Sequence, residues 1–73
     1  MNISTDDARE IGQKLKQLLD IFRKDSSQSY FLRDLLQKTG WMENDLRFVL
    51  EIAVAAEFIQ ENVREDKILY VLN

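Results

Sequence analysis

The chain contains no cysteine and no histidine, and only two of its 73 residues are glycine. Without cysteine there is no disulfide, no thiol nucleophile and no thiolate metal site, which fits a reducing compartment. Without histidine there is neither an imidazole base nor an imidazole metal ligand. Gly12 and Gly40 stand alone, so no glycine-rich phosphate loop exists. Apolar runs extend over a few residues, far short of the roughly 20 that a spanning helix requires, and no membrane association is expected. The start, MNISTDDARE, is polar and acidic and lacks the basic flank and apolar run of a secretory signal, so a cytoplasmic location is the expectation. Cations are also in the minority. Ten Lys and Arg against thirteen Asp and Glu give a formal net charge of −3, which opposes a large phosphate-binding footprint, because nonspecific nucleic-acid affinity comes mainly from Lys and Arg.

These absences weigh against an enzyme. The candidate nucleophiles are isolated Ser and Thr with no base beside them, and the carboxylates form no recognisable catalytic motif. Asp6 with Asp7, and Glu65 with Asp66, read as a helix cap and a turn rather than as Mg²⁺ or Ca²⁺ ligands. No cofactor, metal or small-molecule substrate is implied. What is present is the mixture of a single small globular domain, 45% hydrophobic and 32% charged. A chain near this length buries only roughly 60% of its unfolded surface, so modest stability is expected.

The apolar spacing predicts three helices and a hairpin. Over residues 5–24, Ala8, Ile11, Leu15, Leu18, Leu19 and Phe22 recur at three- and four-residue steps, with Thr5, Asp6 or Asp7 as caps and Asp7–Glu10 at capping-box spacing. Glu10–Lys14 and Asp20–Lys24 are weakly favourable pairs. Gly12 interrupts the stripe, at roughly 1 kcal/mol relative to Ala, and a close backbone approach is one reason to keep it. The same stripe satisfies heptad spacing over little more than two heptads, too few for a coiled coil, so it is assigned to the domain's own core. Residues 1–4 are expected to fray and KDSSQS to form a loop. A second helix is expected over 30–39, with Leu32, Leu35 and Leu36 inward and an extended start at Tyr30 and Phe31. Gly40 ends it and turns Trp41 back toward the core. A third helix over 42–57 carries Leu46, Val49, Leu50, Ala53 and Ala56 on one face, with Met42 or Asn44 near its cap. Phe58–Val63 and Lys67–Leu72 alternate as the strands of a hairpin over 58–72, with Arg64, Glu65 and Asp66 between them.

From the turn onward, TGWMENDLRFVLEIAVAAEFI resembles the winged-helix pattern: a Gly turn, an apolar residue, a long helix, then an apolar pair opening the wing. The resemblance implies a mainly α fold with a small β-hairpin, a winged helix-turn-helix of three helices and a two-stranded C-terminal wing. In winged-helix proteins that bind DNA, the helix after the turn enters the major groove and the wing reaches the backbone or minor groove. Carried onto this chain, Glu43, Asn44, Arg47, Phe48 and Glu51 fall on the reading face. Asn44 and Arg47 would read bases, and Arg33, Lys38, Arg64 and Lys67 would hold phosphates.

Two functions follow. The first is a DNA-binding transcriptional regulator, acting as a dimer because one acidic module binds weakly. The second is a winged-helix protein-interaction module, because Glu43, Asp45 and Glu51 would face a polyanion while Phe48, Ile52 and Ala55 lie away from the centre of the buried stripe. Phe48, Glu51, Ile52 and Ala55 would then meet a protein or a second copy.

Overall fold

The computed structural model describes residues 5–24 and 29–73, in the order α1 (Thr5–Lys24), β1 (Ser29–Phe31), α2 (Leu32–Thr39), α3 (Glu43–Ala55), β2 (Ile59–Arg64) and β3 (Lys67–Leu72). Residues 1–4, residues 25–28 and the side chains of Thr5 and Asp6 lie outside that description, and with them the expected fraying, most of the first loop and two of the proposed caps.

The expected α1 is present in full, and Leu18, Leu19 and Phe22 are buried. Its core contacts lie in the C-terminal half, since Leu15 is partly buried, Ile11 half-buried and Ala8 exposed. Asp7 lies inside the helix, so an Asp7–Glu10 capping box does not start it. Lys14 meets Glu10 at 3.7 Å as expected, whereas Asp20 faces Arg23 at 4.0 Å rather than Lys24. Among the described residues nothing lies within 4 Å of where a Cβ on Gly12 would sit, so their backbone packing does not explain that glycine.

The second helix begins at Leu32 rather than at residue 30, and the expected extended start at Tyr30 and Phe31 belongs to a strand, Ser29–Phe31. The sheet therefore has three antiparallel strands, in the order β1-β3-β2, where a two-stranded hairpin was expected. The molecule is accordingly a mixed helix and sheet fold rather than a mainly α one. Pairing across about 40 residues of sequence holds β1, with Tyr30 opposite Tyr70 and Phe31 opposite Leu69. A strand of three residues carries too short an alternation to announce itself. The switch into helix is fixed at Phe31, whose backbone N–H donates to the Asp34 carboxylate at 3.2 Å. Only this half of a capping box forms, because the phenyl ring has no oxygen to return the bond.

Gly40 ends α2 as expected. It sits at φ 70 and its N–H reaches the Leu36 carbonyl at 2.9 Å, the single-bond αL cap. The Thr39 hydroxyl donates to the Leu35 carbonyl at 2.8 Å and accepts the Trp41 N–H at 3.2 Å. That relay brings Trp41 against the core, where the Lys14 ammonium lies 5.6 Å from its ring centroid.

The third helix runs Glu43–Ala55 rather than 42–57. Met42 is extended at its N-terminal cap position, Asn44 lies inside the helix, and Ala56 is exposed beyond the last turn. Leu46, Val49, Leu50 and Ala53 are buried. The exit is a Schellman turn, with Glu57 N–H to the Val54 carbonyl at 3.0 Å and Phe58 N–H to the Ala53 carbonyl at 2.9 Å. Glu57 itself occupies the left-handed position at φ 64, where an L side chain is strained. Glu57→Gly keeps every backbone bond of the turn and is expected to stabilise the fold by about 0.5–1 kcal/mol, measured by urea denaturation.

The hairpin pairs from Ile59↔Leu72 to Arg64↔Lys67, so Arg64 belongs to β2 and only Glu65 and Asp66 turn. Strand alternation points Ile59 and Tyr70 into the core, beside Leu18, Phe22, Tyr30, Leu35 and the α3 stripe. Phe22 meets Tyr30 edge to face at 5.1 Å, and the Tyr30 hydroxyl donates to the Ile21 carbonyl at 3.4 Å. Among the described residues no helix is long and apolar enough to cross a membrane.

Candidate functional site

A groove opens between the start of α2, the flank of α3 and the turn end of the hairpin. Its walls bring together three cations from three elements, Arg33, Arg47 and Lys67, over a floor of Phe31, Leu32, Ile68 and Tyr70. Each cation is placed by local structure. Arg33 is exposed in the first turn of α2. Arg47 leans on Glu43 one turn earlier, Nε to Oε2 3.2 Å, with both side chains more than half exposed. Such an exposed i,i+4 pair contributes only about 0.3–0.5 kcal/mol and is readily exchanged for another anion. Lys67 holds its ammonium 5.9 Å from the Phe31 ring centroid.

Two carboxylates also line the groove. Asp34 is engaged on the Phe31 N–H and Asp66 lies in the hairpin turn. Tyr70 reports the surroundings of the floor: burial pushes its phenol pKa up, the Glu61 and Glu51 carboxylates push the same way, and Arg47 opposes them. The phenol therefore stays neutral at physiological pH. Chemically the groove lines up three cations for anionic oxygens beside an aromatic and aliphatic surface, with Lys67 on the face of β3 opposite Ile68 and Tyr70, a combination suited to a phosphodiester.

The other expected site residues lie elsewhere. Lys38 stands 5.3 Å over the Tyr30 ring, in a depression shared with Gln17, Asp20 and Trp41. Arg64 lies in an adjoining hollow with Val63, Glu65 and Leu69 that shares Phe31 and Lys67 with the groove. On α3 the single reading face implied by the resemblance divides in two. Arg47 and Glu51 lie near Tyr70 of the hairpin, while Asn44, Phe48 and Ala55 fall within about 40° of one another on the outer surface. Phe48 is 44% exposed, Glu51 and Ala55 are exposed, and Ile52 is half-buried at the edge of this face. The groove floor escaped the sequence reading, although alternation along β3 already placed Ile68 and Tyr70 on one face. Compared with known protein families, curated proteins and solved structures, the chain matches none of them.

Proposed function

We propose that the chain is a winged-helix module that binds duplex DNA as a transcriptional regulator, with the hairpin as its wing. The observation that carries this reading is the convergence of Arg33, Arg47 and Lys67 on one groove between α3 and the hairpin. The element order, and the placement of β1 beside β3 with β2 outside it, support the winged-helix arrangement. In this reading Arg33 and Lys67 hold phosphates, Arg47 exchanges Glu43 for a phosphate or a base edge, and Asn44 reaches a base from the outer face of α3. Acidic neighbours keep the affinity low, which suits a site recognised by two modules rather than one.

The test is fluorescence anisotropy with a mixed-sequence duplex at stepped salt. Three phosphate contacts predict a slope of about −2.7 in log affinity against log salt, a loss of roughly 40-fold between 50 and 200 mM. Absence of binding at 50 mM salt overturns the DNA reading. The exposed Phe48, flanked by Glu51 and Ala55, then favours a protein partner on the outer face of α3. In that case Phe48→Ala weakens a complex without unfolding the domain.

A further inference from the structure

The sheet has two edges of unequal character. At one, β1 pairs over three residues and passes directly into α2. At the other, β2 runs six residues, IQENVR, in unbroken register with β3, and all but Ile59 are exposed. Proteins usually blunt such an edge with proline, lysine, a bulge or a covering element. Among the described residues β2 has no proline, lysine, bulge or covering element, and its charges are Glu61 and Arg64.

The hydrogen-bond phase of this edge is fixed. Asn73 N–H donates to the Phe58 carbonyl at 3.0 Å, which makes those two a bonded pair. Alternation then makes Gln60/Val71, Asn62/Leu69 and Arg64/Lys67 bonded pairs as well. The N–H and C=O groups of Ile59, Glu61 and Val63 are left pointing out of the sheet. Val63 is also the most exposed of the large hydrophobic side chains, at 76%.

We propose that two copies of the chain associate through these edges, β2 antiparallel to β2, about a twofold axis at Asn62. Phase, charge and the covering of Val63 together select that register. The outward groups pair only when Glu61 or Val63 meets an outward residue of the other copy, which leaves four symmetric alignments, and the one centred on Gln60 sets Val63 against Glu57, beyond the end of the other strand, so that the most exposed apolar side chain stays uncovered. An alignment centred on Glu61 sets two carboxylates face to face, and one centred on Val63 sets Glu61 against Glu65; like charges directly opposite are destabilising. Centring on Asn62 places Glu61 against Val63 of the second copy, Gln60 against its Arg64, and the two Asn62 amides against each other. Glu61 thus bars two of the four registers, and Val63 decides between the other two. The result is one continuous sheet made from two three-stranded ones. An edge alone buries little area, so association is expected to be weak. The proposal is independent of the DNA reading, since none of the groove's cations lies on this edge.

The native chain has no cysteine, so one introduced thiol reports the register without background. At a non-bonded antiparallel pair the Cα atoms stand about 4.5 Å apart, within disulfide range. Under oxidation Asn62→Cys is expected to give a covalent dimer, and Gln60→Cys, about four residues out of register with its own copy, is not. Sedimentation equilibrium between about 5 and 500 μM should show concentration-dependent dimer in the native chain and monomer in Val63→Lys, with circular dichroism confirming that the variant folds. A native chain that is monomeric throughout overturns the proposal. So does a dimer that survives Val63→Lys, or a Gln60→Cys variant that cross-links as readily as Asn62→Cys.

Discussion

Phe22→Ala is expected to leave the chain without a cooperative thermal transition by circular dichroism. Phe22 is fully buried at the junction of α1 with the rest of the core and meets Tyr30 edge to face at 5.1 Å. Removing such a ring costs about 3–5 kcal/mol in transfer and cavity terms, and the lost aromatic pair adds about 0.5–1.5 kcal/mol. A domain of this length has only roughly 4–11 kcal/mol to lose. The single substitution therefore removes most of the stability, and it also loosens Tyr30, the residue that anchors β1 against β3. A variant that still melts cooperatively within a few degrees of the native chain would show that the core tolerates the void and that α1 is not its keystone.

The combined variant Arg33→Ala, Arg47→Ala and Lys67→Ala is expected to bind duplex DNA about 100-fold more weakly at 50 mM salt, as when three contacts of roughly 1 kcal/mol each are removed, and to lose most of its salt dependence. All three side chains are exposed, so the fold should persist. Lys38→Ala is the matched control, because Lys38 lies over Tyr30 in a different depression. It changes net charge without touching the groove, and its affinity should fall far less. Equal losses in Lys38→Ala and in each groove single variant would mean that DNA senses overall charge rather than this groove. Undiminished binding in the triple variant would place the contact elsewhere on the molecule.

Much of the helical architecture was readable from local pattern. The three- and four-residue spacing of Leu15, Leu18 and Phe22, the stripe from Leu46 to Ala53, and Gly40 as the residue able to adopt φ 70 all act within a few residues of themselves. Errors gathered where a local rule had nothing to work on. Glu57 and Glu65 sit at positive φ, positions for which glycine or asparagine is the usual sign, so neither the true end of α3 nor the two-residue hairpin turn was marked. Ala8 and Ala56 continued their stripes on paper yet stand in solvent, because periodicity fixes a direction and not how far the neighbouring elements extend. The candidate site was half legible. Its cations could be named individually, but the winged-helix resemblance put Arg47 with Phe48 on one face, and only the hairpin packed beside α3 separates them.

By itself, then, the sequence determined three helices, a hairpin, the absence of thiol and imidazole chemistry, and an acidic balance. Each follows from residue type or from spacing within one element. Only the tertiary structure decided that Ser29–Phe31 is a strand, that β3 lies between β1 and β2, that Arg33, Arg47 and Lys67 share a groove, and that β2 is an outer strand with no neighbour on its far side among the described residues. The reason is physical. A helix is held by bonds to residues four positions away, whereas a strand, a groove and an edge exist only through partners that the chain brings back from tens of residues away.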